Sequence, residues 1–565
     1  MINRNCLYRS NKPQRSHLSF AASNVDALSQ WTARLPYMQL GDSAEMIVLA
    51  IYEISALRCS ETLRFDLIQV LHPAIENILK VLEQEIFQQR IYQAERREQI
   101  IELLSHIRIN LSYVYIDIVY RCEQYLQKHG KMFFQWQQRK NHKTARVLSC
   151  YYALQQLSAL QLQQQMLYMS PLHHQWLAAH QLYKVAVKNN EHLINTNQIQ
   201  GSKSSLNSVQ DCYLHLLLLN IINTSHIRPN EMRVLYHCSQ EWIHYLKLSH
   251  HHNNLSRYGI NLHTDQAVQF LAKSNEYFKP DLYLSTQLLL EHINDTIHDK
   301  PQQLTEVERQ YLSSTLKLHI QHVLGTQIQR QHERFYHPIQ LDICFNLYSA
   351  HYHLSKNQVF GDTLAMPYQH IMQQYPKTHP VLAKLPRAYH NLPLEDKQIY
   401  SAQALDFSEK GYRLHWAQPR PSTLASGEMV LTRQQTQHRW KVGIIRWIKQ
   451  SLQESYTFGI QIIAESVYPA ILEISTEEIE HCYLPCLILL DQQYSYSKIT
   501  LLLANMPVLQ QATHYYLIAA ELRLTIHKVF NLTITSSIVQ LDITLSAASQ
   551  QALVKNYLNP FDQQT

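Results

Sequence analysis

From about residue 43 to 360 the apolar side chains recur three and four positions apart, the spacing that lines one face of a helix. Ile75, Ile78, Leu79, Leu82 and Ile86 follow Pro73, and this run predicts a helix with Pro73 in its first turn, where a missing N–H has no partner to lose. Met232, Leu235, Tyr236, Trp242, Tyr245 and Leu246 form a second such run after Pro229 and Asn230. Further amphipathic stretches cover 175–189, 210–222, 304–322 and 341–354. Gly325 is the only glycine between residues 260 and 360. Together these predict a stack of antiparallel helices. A 34-residue helix-pair repeat is suggested by Trp176-Leu177-Ala178-Ala179 and Leu182-Tyr183, but no register is sustained, so an irregular solenoid or bundle is expected.

The pattern then changes. Seven of the 19 prolines lie between Pro367 and Pro421, five of them before residue 394. Proline fixes φ and removes a donor, which argues against continued helix. Short alternating runs of β-branched and aromatic residues follow at 412–416, 428–432, 442–448, 458–463 and 470–474. Gly411, Gly427, Gly443 and Gly459, four of the ten glycines, stand beside or within these runs. Regularly spaced short strands predict a small antiparallel barrel or sandwich. A further β-rich piece covers 486–490, 499–503, 515–524 and 532–545, as a second small domain or an extension of the first.

The expected fold is therefore α+β and multidomain, with an N-terminal all-α part followed by one or more small antiparallel β-barrels. The expected boundaries are a disordered basic tail at 1–40, a helical domain at 41–365, a Pro-rich linker at 366–400, a barrel at 401–478 and a second β-rich domain at 479–565.

Composition narrows the function. Apolar residues make up 45% and charged residues 17%, as in a folded globular protein. A net charge of +6 over 565 residues is too weak a field for a dedicated nucleic-acid binder. Nine scattered cysteines do not form a disulfide framework and fit a reducing compartment. No apolar run reaches the 18 or so residues that span a bilayer, and the N-terminus lacks the apolar core of a secretory signal. A cytoplasmic location is expected.

The residues that carry chemistry are Asp406-Phe407-Ser408-Glu409-Lys410-Gly411. An Asp and a Ser two positions apart can aim oxygens at one small polar target, the carboxylate accepting from N–H donors such as a guanine edge. Gly411 allows a sharp turn or a close backbone approach. A turn in which Asp406 caps its own backbone explains the same residues without a ligand. After the motif come a strand at 412–416, a Gly427-Glu428 turn, the run Gly443-Ile444-Ile445-Arg446-Trp447, and Phe458-Gly459-Ile460. This order resembles the PilZ domain over residues 385 to 478.

The resemblance implies a β-barrel that binds cyclic di-GMP through Asp406, Ser408 and Gly411. It also implies an Arg-x-x-x-Arg pair shortly upstream, whose guanidiniums hydrogen-bond phosphates and stack on guanines. That pair is missing from the Pro-rich segment, where the nearest counterparts are Lys384 and Arg387, spaced x-x. These two would supply positive charge, with Arg413 and Arg439 able to add to it. The helical stretches 213–220, 231–248 and 341–354 resemble the front half of long proteobacterial PilZ proteins, a group associated with attachment and motility.

Other signals are weaker. His481, Cys482 and Cys486 lack the second ligand pair that a zinc site needs and read as buried strand residues. His250, His251 and His252 read as a solvated helix end, and His319 and His322 as edges of a helical core. No phosphate loop, nucleophile elbow or paired acid and base appears, so no enzyme activity is expected. The expected protein is a cyclic di-GMP receptor whose barrel signals to a helical protein-interaction domain with an unidentified protein partner. The alternative is a scaffold with a degenerate barrel, which would follow if the surface around Asp406 were apolar and lacked arginines.

Overall fold

The computed structural model describes residues 14–37, 39–87, 94–128, 136–201, 203–222, 227–274, 277–297, 304–325, 334–363, 392–421, 423–435, 439–450, 455–477, 482–490, 498–519, 522–526, 529–533, 535, 537–545, 549–550 and 552–554. The chain divides into two units. One comprises Met1–Leu167, Pro171–Thr224 and Pro229–Gln327; the other comprises Tyr168–Ser170, Ser225–Arg228 and Ile328–Thr565.

The first unit realises the helical periodicity. It runs through α1 (Val25–Ala33), α2 (Leu40–Ala56), α3 (Glu61–Phe87), α4 (Ala94–Lys128), α5 (Trp136–Met166), α6 (Gln175–Lys188), α7 (Thr196–Gln200), α8 (Val209–Ile221) and α9 (Pro229–Glu241). The apolar helix α8 is buried nearly all round, from Cys212 through Leu219, as a helix without a polar face must be.

Two buried arginines fix helix ends and helix pairs. Arg64 donates to the carbonyls of Ile54, Ser55 and Leu57, closing the C-terminus of α2, whose last carbonyls have no partner within the helix. Arg146, on α5, sits between Glu123 of α4 and Glu191, just past α6.

Several expectations are corrected here. The expected tail at 1–40 contains α1, capped by Asn24, whose side chain accepts from the Ala27 N–H. The helix expected to start at Pro73 starts at Glu61 and runs through the proline, with the Ser60 hydroxyl accepting from the Leu63 N–H at its N-terminus. The expected all-helical span also holds a four-stranded sheet of β1 (Lys247–Ser249), β2 (Tyr258–Ile260), β3 (Gln269–Phe270) and β4 (Leu282–Ser285), in the order β1-β4-β2-β3. His250, His251 and His252 therefore follow a strand rather than a helix, and are exposed. The stretch expected as one helix over 304–322 is α11 (Glu306–Tyr311) and α12 (Ser314–Gly325), preceded by α10 (Gln287–Ile297).

In the second unit, the helix expected over 341–354 is half strand. Its first residues are β5 (Ile339–Phe345), followed by α13 (Leu347–Leu354) and α14 (Phe360–Thr363). Leu341, Ile343 and Phe345 are two apart and all buried, so the apolar spacing over these residues is that of a strand. After the Pro-rich stretch come β6 (Tyr400–Ser408), β7 (Gly411–Trp416), β8 (Met429–Gln434), β9 (Lys441–Gln450) and β10 (Tyr456–Ala464). These six strands close into an antiparallel barrel in the order β10-β7-β6-β5-β8-β9. Its interior holds Phe345, Tyr400, Trp416 and Phe458, with ring centroids 5.2 to 6.3 Å apart. The barrel thus begins at residue 339, before the Pro-rich stretch, and not at 401.

Glu465 alone separates β10 from β11 (Ser466–Ser475), the first strand of the next sheet, followed by β12 (Cys482–Leu490), β13 (Lys498–Ala504), β14 (His514–Ala519), β15 (Leu522–Ile526), β16 (Val529–Thr533) and β17 (Ile538–Thr544). The sheet order is β15-β14-β11-β12-β13-β17-β16, antiparallel throughout. Cys482 and Cys486 point into its buried core with Leu484 and Ile488, while His481 lies outside the described residues. A second cluster joins this sheet to the barrel through α13: Leu347 and Ala350 pack with Leu431 and Val442 of the barrel and with Leu489 and Leu502 of the sheet. No helix of the described residues is long and apolar enough to cross a membrane.

Candidate functional site

Asp406 and Ser408 close strand β6, and Gly411 opens β7. Residues two apart in a strand share a face, so the two side chains point the same way. A bulge decides which way. Ala404 pairs with Leu414, but Asp406 pairs with Arg413, leaving Leu405 as the extra residue. Since neighbouring residues of a strand face opposite sides, the bulge turns Asp406 from the interior face of Ala404 and Leu414 to the outer face of Arg413.

There Asp406 is 2% exposed although it lies on the outside of a barrel. Its cover is the segment before β5. Phe335 and Phe407 exchange two backbone hydrogen bonds of 2.8 and 3.1 Å, and their rings lie 5.6 Å apart. This bridge seats Arg334 beside Asp406, and the guanidinium donates to Oδ1. Arg413 approaches Oδ2 from the other side at 3.4 Å. A buried carboxylate is held between two arginines whose side chains keep 33% and 46% of their exposure, so both retain donors for another anion.

The row continues across the barrel. Arg413 pairs with Gly459, which pairs with Trp447. A Cβ on Gly459 would lie 2.2 Å from the Trp447 Nε1, so the missing side chain lets the indole lie over β10. In the parallel row, Ser408 pairs with Gly411 and Gly411 with Gln461, whose Oε1 accepts from the Arg446 Nε at 2.6 Å. A Cβ on Gly411 would meet the Ile460 carbonyl oxygen at 2.2 Å. The outer face therefore offers a carboxylate, a hydroxyl, three guanidiniums and an indole around two glycines. That set suits a planar, anionic ligand with N–H donors.

Of the residues expected at a site, Asp406, Ser408, Gly411 and Arg413 come together on this face. Lys384 and Arg387 lie outside the described residues. The arginine beside Asp406 is Arg334, which the expectation missed. The sequence reads Arg330-Gln-His-Glu-Arg334, an Arg-x-x-x-Arg pair upstream of β5. Reading 341–354 as a helix hid it, because the pair was sought next to β6 and residues 346–399 intervene. Trp447 and Arg446 were visible only as parts of a strand pattern. The scaffold alternative called for a surface around Asp406 without arginines, and two are present.

This barrel and its outer-face motif define the class: the chain belongs to the PilZ domain-containing proteins. Two family models match it. "Cyclic-di-GMP receptor FimW, N-terminal domain" matches residues 26–254, and "Cyclic-di-GMP receptor FimW, middle PilZ domain" matches 259–385 and 384–469. At the level of a single relative, the chain is similar to the Cyclic-di-GMP receptor FimW of Pseudomonas aeruginosa, with 23% identity over 536 residues covering 84% of this chain and 83% of that protein.

Proposed function

We propose that this protein is a cytoplasmic receptor for cyclic di-GMP, bound on the outer face of the barrel. The observation that carries the reading is Arg334 seated against the buried Asp406 of the Asp-x-Ser-x-x-Gly motif. In this reading Arg330 and Arg334 clamp the phosphates and stack on the guanines. Ser408 and the backbone at Gly411 receive a guanine edge, while Arg413 and Trp447 close the far side. Asp406 holds Arg334 and Arg413 in place and exchanges part of that pairing for guanine N–H groups when the ligand arrives. The helical unit serves as the protein-contact part, with output in surface attachment or motility. A ligand can drive such an output only by binding one arrangement of the protein better than another. The role is that of a binding protein and not of an enzyme, in line with the name of the similar receptor.

Calorimetric titration of the full chain with cyclic di-GMP tests this, beside Arg334→Ala and an Asp406→Ala, Ser408→Ala double variant checked for folding by circular dichroism. Saturable binding by the native chain, lost or weakened at least tenfold in both variants, is expected. Absence of binding by the native chain would overturn the reading, as would equal affinity in a folded Arg334→Ala protein.

A further inference from the structure

The two edge strands of the seven-stranded sheet are neighbours in the chain. Six antiparallel steps separate β15 from β16 around the sheet, so the two edge strands run in the same direction. Only residues 527–528 lie between them, which keeps Ile526 and Val529 within about 11 Å of each other. The two edges thus follow one another along the chain and run the same way, the first paired with β14 and the second with β17. Counted as one position of a ring, these two edges give the seven-stranded sheet the circuit of a six-stranded barrel.

Its circuit repeats that of the first. When each barrel's strands are numbered in chain order, the first reads five-four-one-two-three-six around the ring, as β9-β8-β5-β6-β7-β10. The second reads the same, as β15-β14-β11-β12-β13-β17 and back to β16. One strand circuit therefore occurs twice in the chain.

The register then allows the two outer faces to be compared position by position. In the first barrel the row from strand two to strand five is Asp406, Arg413, Gly459, Trp447. The third residue of strand three is Arg413 in the first barrel and Thr500 in the second. The row through Thr500 is Leu489, Thr500, Asp542, Phe530. A leucine stands for the buried Asp, a threonine for the arginine, and an acid for the glycine, with the Thr500 hydroxyl donating to Asp542 at 2.7 Å. The sequence between β12 and β13, 491–497, contains no glycine and so no Asp-x-Ser-x-x-Gly. No arginine segment can precede strand one, because a single residue separates β11 from the first barrel.

The face is also occupied. Leu487, Leu489 and Leu502 point out of the second barrel, opposite to its core residues Ile488 and Leu501. They are buried against α13 and against Leu431 and Val442 on the outside of the first barrel.

We infer that the second barrel is a copy of the first whose ligand face has become the surface that holds the first barrel and α13, so the chain carries one nucleotide site. This rests on the reading of the first barrel as a nucleotide receptor. It adds that the second barrel binds no nucleotide and is carried by the first through an apolar seam.

Two measurements on the full chain test it. In equilibrium dialysis with cyclic di-GMP, an Arg334→Ala, Asp406→Asn variant is expected to lose all saturable binding. A saturable site that survives in the folded variant would overturn the inference. Hydrogen exchange reads the seam without ligand: Leu489→Lys should speed exchange of the α13 amides at least tenfold, while the β12 amides stay protected by their own core. If Leu489→Lys does not fold, Leu489→Ala should give the same pattern at smaller size. Unchanged α13 exchange in a folded variant would overturn the inference even if the native chain bound nucleotide. Failure of the native chain to bind cyclic di-GMP would defeat the receptor reading, and the exchange experiment would still decide whether this face is the seam.

Discussion

Removing Arg334 should cost more than removing the charge it neutralises. The Asp406 side chain is 3% exposed and the Arg334 side chain 33%. Arg334→Ala leaves a buried carboxylate with Arg413 at 3.4 Å as its remaining arginine. Stranding a buried charge typically costs about 3–5 kcal/mol. Here Arg413 remains, and the lost arginine already shared its charge with water, so about 2 kcal/mol is the discounted figure. Asp406→Asn removes the buried charge instead, and both partly exposed arginines can rehydrate; about 1 kcal/mol covers the weakened hydrogen bonds. The double variant should resemble Asp406→Asn alone and be about 1 kcal/mol more stable than Arg334→Ala. Native-state hydrogen exchange of the β6–β7 amides reads this ladder by itself, in a chain too large for one cooperative transition. The expected acceleration is roughly 30-fold for Arg334→Ala, falling to about fivefold when Asp406→Asn is added. If adding Asp406→Asn made Arg334→Ala still less stable, the carboxylate would not be a buried charge dependent on its arginine.

Gly411→Ala should destabilise the barrel by more than about 2 kcal/mol, since the added carbon meets a backbone oxygen rather than a movable side chain; unchanged hydrogen exchange of the β6–β7 amides would contradict this. Gly459→Ala displaces the Trp447 indole, so a change in tryptophan emission with weakened cyclic di-GMP binding is expected. His351, on α13, is buried and donates from Nε2 to the Ala470 carbonyl at 3.2 Å, and burial lowers its pKa to about 4. The unfolded chain takes up this proton below about pH 6.5 while the folded chain refuses it, so the stability is fully present above that pH and falls as pH drops towards 4. Between pH 7 and 5 this amounts to about 2 kcal/mol; His351→Gln should flatten that part of the profile, and an unchanged pH dependence of the α13 amide protection factors would refute it. In the helical unit, Arg64→Met removes three carbonyl caps from α2 and should cost about 3 kcal/mol, seen as faster exchange at the C-terminus of α2.

Helical spacing in the first half, and alternation with regular glycines in the second, were enough to predict helices followed by β-barrel. They suffice because 3.6-residue and 2-residue periods are local properties of a chain that must bury one face. The Asp-x-Ser-x-x-Gly motif was legible for the same reason, being contiguous. Where local patterns are ambiguous the sequence misled: the short apolar run that became β5 fits a helix as well as a strand until β6 and β8 pair with it. That one pairing moved the barrel's start to residue 339 and made Arg334 a neighbour of Asp406.

What only the tertiary structure decided has a common physical cause. A β-bulge turned Asp406 to the outer face, a bridge of two phenylalanines brought Arg334 to it across residues distant in sequence, and antiparallel pairing put β15 and β16, neighbours in the chain, on the two edges of the second sheet. Each is a relation between strands rather than a property of one. A one-residue change in register exchanges every inward and outward side chain, so which residues meet on a barrel surface is fixed by hydrogen-bonded neighbours that the local pattern does not name.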